Sequence, residues 1–407
     1  MSIDPPPTIG ILTALAVEST AVGYVLDGHR PVSAPDPTDR ADYWLGTLPS
    51  VDPCRPHGIV ASALVEDGGV AAANACANMQ RTWGVSEIVM CGIACGVPVP
   101  DNPERHVRLG DVLVADEGVI PYGHLRILRD KTEVRRHAAK PSVNLKRAAN
   151  GLKVLNEQGQ RPWNQVLDAV RRSAPPEYRR PDARVDLLYR DDRSDDLVPH
   201  PHQRQRQPAY PLIHYGLLGG GGRLIRRAVE RDRLARRYGL IGFEMEGDGV
   251  SASTYLQGVS WFMVRGVSDY GDAHKNDQWH RYASIAAAAY VRALLARLAP
   301  LSPAARADAR GAELVGPVAA TLAEDFVSIM LRASELGNPR RRDAVVAQMP
   351  TDVRHLIPRS RSAHADVAGI VRVMATQPDG LDAVAHAVGN VVSDVTVVRQ
   401  LRKLLHE

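Results

Sequence analysis

Between residues 241 and 276 the chain runs through two short apolar segments separated by a small-residue helix, and its acids fall at the junctions. Phe243 is followed by Glu244, Met245 and Glu246. Residues 247–256 have helical composition. Residues 259–264 form a second apolar run, which ends in Arg265, Gly266, Val267, Ser268 and Asp269. Short apolar runs bounded by polar junctions read as strands buried on both faces, so this stretch predicts a strand–helix–strand unit and an α/β fold. Open α/β sheets place their chemistry just past the carboxyl ends of strands, and Asp269 occupies such a position. Acids there also serve as caps, dipole partners and turn residues. The apolar frame around three carboxylates favours a site, because desolvated acids tend to be functional.

The rest of the chain supplies a frame for that unit. Residues 9–14 read as a buried strand, and the helix after it carries Glu18, as a cap or as a site acid. Further strands are expected at 57–64, 86–91 and 110–117, with a helix at 70–83 and an irregular hairpin or loop over 30–57. The strand at 86–91 runs into CGIACGV, where Gly92, Ala94 and Gly96 form a small-residue turn that lets backbone approach a ligand. Residues 125–208 form a basic insertion with 19 Lys and Arg against 11 Asp and Glu. It is helical around 160–172 and otherwise loop. Most of its charges read as solvated, with a few arginines available to reach a site and hold phosphate. Residues 211–225 return to the fold, with Gly219–Gly222 either cradling a ligand or forming a flexible loop. A basic amphipathic helix over 226–238 and a helix over 279–298 complete a domain spanning 1–298. Residues 299–316 read as a linker. Helices near 317–336, 338–348, 361–376, 379–390 and 393–406 then form a small helical domain over 317–407.

The 407-residue length suits two domains. A net charge of +4 and 5% aromatic residues give neither a nucleic-acid footprint nor a base-stacking platform. Cys54, Cys76, Cys91 and Cys95 lack zinc-type spacing, and no metal or cofactor is expected. No secretory leader or membrane-length apolar run is visible, so a cytoplasmic protein is expected.

The segments FEMEG and VRGVSDYGD resemble those of the nucleoside phosphorylase/nucleosidase superfamily, in particular its 5′-methylthioadenosine/S-adenosylhomocysteine nucleosidase branch. The longer run SDYGDAHKNDQWHRYASIAAAAYVRALL is similar to nucleosidase-like domains fused to NLR-type immune proteins. Together the likeness covers about 9–298. It implies a mixed central sheet flanked by helices in three layers. It also implies that Glu18 activates a water, that Glu246 takes the ribose hydroxyls and that Asp269 is the general acid, donating to purine N7. Glu244, Met245, Ser268, Phe243, Leu224, Arg265 and the Gly92–Ala94–Gly96 segment would bind substrate. Where the phosphorylases hold orthophosphate with an Arg and a Ser, this chain has Met90 and Ile93, and Glu18 aligns with a second phosphate arginine. These departures favour water as the nucleophile.

His274, Lys275 and Arg281 are candidates to hold a charged 5′ group, which makes an adenine nucleotide, ATP among them, the leading substrate. A methylthioadenosine/S-adenosylhomocysteine or general purine nucleosidase or phosphorylase is the alternative, and a non-catalytic nucleotide sensor signalling through the helical domain the second. The resemblance further implies a homo-oligomer through the sheet domain. RRDAVVAQMP, IPRSRSAHADVAGIV and PDGLDAVAHAV resemble the death-like effector-associated domains of bacterial immune effectors, implying an adaptor partner and an anti-phage role.

Overall fold

Apolar runs with no alternation require cover on both faces, and the sheet provides it. The computed structural model describes residues 5–301 and 325–406, apart from 124, 128–131, 135–137, 194, 223, 355–356, 358, 361, 375–376 and 378–379. Contacts divide the chain into two units, Met1–Arg306 and Ala307–Glu407.

The first unit is built on strands β1 (Pro7–Thr13), β2 (Asp27–Val32), β3 (Tyr43–Leu48), β4 (His57–Ala63), β5 (Glu87–Gly96) and β6 (Val112–Pro121). A separate small hairpin, β7 (Leu125–Ile127) with β8 (Thr132–Val134), precedes β9 (Ile213–Gly220), β10 (Leu240–Glu244) and β11 (Ser260–Asp269). The main sheet runs β10-β9-β6-β11-β5-β1-β4-β3-β2. β5 lies parallel to β1 and β11, and β10 also pairs with it antiparallel through Gly242–Gly96 and Phe243–Cys95. That extra pairing closes β5, β11, β6, β9 and β10 into a ring. Ile9, Ile11 and Leu12 on β1, Val89 and Met90 on β5 and Phe262 and Met263 on β11 are fully buried.

Helices α1 (Ala16–Val25), α2 (Gly69–Trp83), α3 (Val143–Glu157), α4 (Pro162–Ser173), α5 (Ala228–Tyr238), α6 (Gly247–Gln257) and α7 (His280–Leu295) flank the sheet. Four consecutive alanines, Ala286–Ala289, let α7 sit buried on nearly every side. It approaches β11 so closely that a Cβ on Gly266 would overlap the Ala283 backbone. Among the described residues no helix is long and apolar enough to cross a membrane.

Several sequence expectations need correction. The region over 30–57 contains regular antiparallel strands, β2 on β3 and β3 on β4. Gly92 and Gly96 lie within β5 rather than in a turn, and Gly219 and Gly220 end β9. The insertion holds a helix, α3, that its charge concealed; Leu145, Ala149 and Leu152 bury one face, and Ser142 caps it by accepting from the Leu145 amide. Of the expected linker over 299–316, residues 302–316 lie outside the described residues, as does the first part of the helix expected over 317–336.

The described residues of the second unit hold a helical stretch over 325–330, a 3₁₀ turn (Ser334–Gly337) and helices α8 (Pro339–Val346), α9 (Thr351–Arg354), α10 (Ala363–Met374), α11 (Gly380–Val391) and α12 (Val395–His406). Phe326, Met330, Val345, Val367, Ile370, Val388 and Leu401 form its core. Pro339 at the first helical position and Asn338, accepting from the Arg340 amide, start α8. Arg342, fully buried, donates from Nε to Asp366 at 2.7 Å and from Nη1 to the Leu336 carbonyl at 2.8 Å.

Candidate active site

Glu18 sits in the first turn of α1, where β1 gives way to the helix, and its carboxylate satisfies the exposed amides of that turn. Oε2 accepts from Ala14 N at 2.6 Å and Leu15 N at 2.9 Å; Oε1 accepts from Ile93 N on β5 at 2.8 Å. Burial pushes its carboxyl up from the ordinary range, against the pull of Arg265 and the three amides.

Glu244 closes β10 and caps α6, accepting from Glu246 N at 3.0 Å and Gly247 N at 2.9 Å. The Glu246 Oε1 accepts from Gly68 N at 3.2 Å, at the start of α2. Both glutamates are tied from below by one guanidinium, as Arg265 Nη2 donates to Glu244 Oε2 and to Glu246 Oε2, each at 2.8 Å. Burial raises the Glu244 carboxyl, Arg265 opposes the rise, and the Glu246 charge adds to it. Arg265, expected against substrate, is instead fully buried outside the lining of the hollow and pairs with two glutamates that do line it. Gly92 makes room for this cluster, since a Cβ there would overlap both the Arg265 guanidinium and the Glu18 carboxyl. Gly96 likewise admits Val267 and Val107. Both glycines, expected to admit a ligand, make room for side chains, and neither lines the hollow.

Asp269 ends β11. Its Oδ2 takes the Ser268 hydroxyl at 2.9 Å and the Lys275 ammonium at 3.1 Å, and its Oδ1 accepts from Gly271 N at 2.9 Å. Tyr270, the next residue, is held at both ends. Arg231 Nη1 donates to its carbonyl at 2.6 Å, and its hydroxyl donates to Asp186 Oδ1 at 2.7 Å. Asp186 belongs to the insertion and also takes Arg108 Nε at 2.7 Å. The insertion therefore braces the strand end that carries Asp269. Among the described residues none of its side chains lines the hollow, contrary to the expectation that some of its arginines reach the site.

Glu18, Glu244, Glu246 and Asp269, drawn from distant segments of the chain, line one hollow of about 310 Å³. That volume lies near the lower end of the roughly 300–1,000 Å³ common for small-molecule sites. Phe243, Ile225, Met245 and Ala94 supply an apolar wall, and Leu224 stands half-exposed at the rim. Of the three residues expected at a charged substrate group, only Lys275 lines the hollow. His274 instead stacks on Tyr189, ring centroids 3.6 Å apart, and Arg281 lies outside the lining. Sequence reading missed His280, which lines the hollow from the first turn of α7, and Asp67. The spacing of His280 from Lys275 would have signalled it only if the start of α7 were known. Five acids, Asp67 among them, line the hollow against the Lys275 ammonium, with Arg265 beneath, so acids outnumber permanent cations there.

Residues 327–406 match the family model of effector-associated domain 2. The chain is 31% identical over 305 residues to an NLR-like protein of Hyaloscypha variabilis, covering 72% of this chain and 29% of that protein. It is 28% identical over 284 residues to the ATP nucleosidase Cap17 of Escherichia coli, covering 69% of this chain and 50% of that protein. Futalosine hydrolase of Helicobacter pylori superposes with a TM-score of 0.47 at 17% identity, over 72% of this chain and 99% of the hydrolase. The chain thus spans half or less of the length of these two curated relatives.

Proposed function

We propose that this chain, with a sheet unit of the nucleoside phosphorylase/nucleosidase type and an effector-associated domain at residues 327–406, hydrolyses the N-glycosidic bond of an adenine nucleotide. The observation that carries this reading is the convergence of Glu18, Glu246 and Asp269 on one hollow with an apolar wall. Breaking a glycosidic bond develops positive charge on the ribose, and a hollow rich in carboxylates stabilises that charge as it forms. Glu246, fixed by Arg265 and Gly68, receives the ribose hydroxyls through charge-assisted hydrogen bonds. Met245 packs against the sugar and Phe243 against the base.

Glu18 takes the proton of the attacking water. Its raised carboxyl brings a base closer to working pH, where proton transfer is most effective. Asp269 protonates N7 as the base departs. The Ile93 amide is committed to Glu18 and Met90 is fully buried, so β5 offers no ligand for orthophosphate at these positions; this supports water over phosphate as nucleophile.

Three glutamates in the interior repel a phosphate tail, which leaves the rim at Lys275 and His280 as its place. The likenesses to Cap17 and to an NLR-like protein, together with the effector-associated domain, support ATP as substrate and a role as an anti-phage effector recruited by an adaptor protein. Self-association through the sheet unit, residues 1–298, completes the proposal. The purified chain should be incubated with ATP, AMP, adenosine and methylthioadenosine and free adenine measured. Adenine from the nucleotides supports the reading, adenine from the uncharged nucleosides alone replaces it with a housekeeping nucleosidase, and tight binding without adenine makes the chain a sensor.

A further inference from the structure

Asp269, as the structure holds it, is an acceptor. Its Oδ2 is met by the Lys275 ammonium at 3.1 Å and the Ser268 hydroxyl at 2.9 Å, and its Oδ1 by the Gly271 amide at 2.9 Å. A carboxyl group donates only when one oxygen carries a proton outward, and here Oδ2, which already meets two donors, has no lone pair left for one. The proposed reaction asks the opposite of this residue. A few residues on, His280 faces the same hollow with a buried Nε2 that lacks a hydrogen-bond partner. It lies 3.2 Å from Asp277 Oδ1 but outside hydrogen-bond geometry. The rim thus holds one cation spent on an acid and one imidazole nitrogen without a hydrogen bond.

Building on the adenine-nucleotide reading above, we infer that Lys275 is a specificity-determining latch, which keeps Asp269 an acceptor until a substrate phosphate draws the ammonium away. In an anti purine nucleotide the C8–N7 edge and the 5′-phosphate lie on the same side. A cation placed beside the N7 partner therefore needs only a swing of its flexible four-carbon stem to reach the phosphate. A phosphate with more than one negative charge competes well for an ammonium against a single carboxylate, and His280 offers a second contact.

Once relieved of Lys275, Asp269 takes a proton from solvent on Oδ2. As the C1′–N9 bond breaks, its electron pair goes to adenine and N7 takes that proton. Water oxygen bonds to C1′ and gives its proton to Glu18, which returns it to solvent. The sum is nucleotide plus water to adenine plus ribose phosphate, and Lys275 closes again on Asp269 as the sugar leaves. An uncharged nucleoside can fill the hollow yet finds the latch shut, so discrimination falls on turnover more than on binding.

The test uses the full chain with Lys275→Met and Lys275→Arg. Initial rates of adenine release are measured for ATP, AMP and adenosine, and for adenosine with added inorganic phosphate. Lys275→Met should lose about ten- to a hundred-fold in kcat/KM on nucleotides, the span expected for one charge-assisted contact, while its turnover of adenosine rises. Inorganic phosphate should speed adenosine cleavage by the natural protein and not by Lys275→Met, and Lys275→Arg should keep most of the nucleotide preference. Equal loss on all substrates, or an unchanged nucleotide preference in Lys275→Met, overturns the latch alone. If the natural protein releases adenine from no substrate, the glycosidase reading fails and the latch falls with it.

Discussion

The two units bury the same ingredients, arginine and carboxylate, to opposite effect. In the helical unit Asp366 is outnumbered. Arg342 Nε meets it at 2.7 Å, Arg359 grips it with Nε and Nη2 at 2.9 Å, and the Ser360 amide adds a fourth contact at 2.9 Å. Burial works against its charge, but the Arg359 and Arg342 hydrogen bonds win and hold its carboxyl down at about 2. In the sheet unit the ratio is inverted, with Arg265 alone among Glu18, Glu244 and Glu246, so burial wins and the Glu18 and Glu244 carboxyls rise. The first cluster is closed and internally satisfied. The second opens onto a hollow, and its acids outnumber the one guanidinium that holds them. Arginine in excess makes a lock, whereas acids in excess are what the proposed reaction uses for a developing cation.

That contrast breaks most visibly when the lock is opened. Arg342→Met leaves Asp366 with a weakened set of partners and should cost the helical unit about 3–5 kcal/mol, read by chemical denaturation, while adenine release persists. If the variant unfolds at the same denaturant concentration as the natural chain, the lock is not structural. Glu18→Gln should do the reverse, lowering adenine release a hundred- to a thousand-fold, or about 2.7–4 kcal/mol in barrier, at a smaller cost in stability, because its amide nitrogen cannot accept from the backbone amides that the carboxylate takes. In the natural protein kcat/KM should fall on acidification through a value above the ordinary carboxylate range, because Glu18 must be ionised to act and its carboxyl is raised. An acidic limb at an ordinary glutamate value would mean that burial does not raise the Glu18 carboxyl in the free protein.

Glu87, at the start of β5, tests burial without a partner arginine. Ser142 Oγ donates to its Oε1 at 3.0 Å, Oε2 has no partner, and burial pushes its carboxyl up to about 7. A raised carboxyl binds its proton more tightly in the folded state, so its contribution is complete below the unfolded value near 4.5 and is lost as pH rises through about 7. Glu87→Gln should therefore gain roughly 2–3 kcal/mol over the natural protein at pH 8 and almost nothing at pH 4.5. Equal gains at both pH values would assign the effect to packing. The smallest effect is expected from Tyr270→Phe. Removing the hydroxyl that ties β11 to Asp186 should cost about 1 kcal/mol of stability and lower turnover more than it raises KM, as a brace on Asp269 should.

The parts of this account legible in the sequence are those fixed by local order. The sequence order of Glu244, Glu246 and Asp269 at strand ends followed from the apolar runs around them, and Glu18 from its place after β1. The likeness to the nucleosidases then supplied the expectation that these acids meet. What stayed hidden depends on contacts between distant segments. Lys275 was expected at a phosphate, yet it lies on Asp269, a pairing set by the tight bend at Gly271. Arg265 reads from its position as a strand-end ligand and turns inward because Glu244 and Glu246 converge beneath the hollow. Gly92 looked like a ligand-facing turn because its neighbours Arg265 and Glu18 are far away in the chain. Helix α3 escaped because its apolar face is only four small or medium residues wide within a run of charge.

The central claim is that acids from three distant segments act together on one glycosidic bond. The most direct measurement follows both products when an adenine nucleotide is incubated with the natural chain and with Asp269→Asn. Adenine and ribose phosphate should appear in equal amounts from the first and be nearly abolished in the second. Orthophosphate released with the base still attached, or adenine formed equally fast by both, would contradict it.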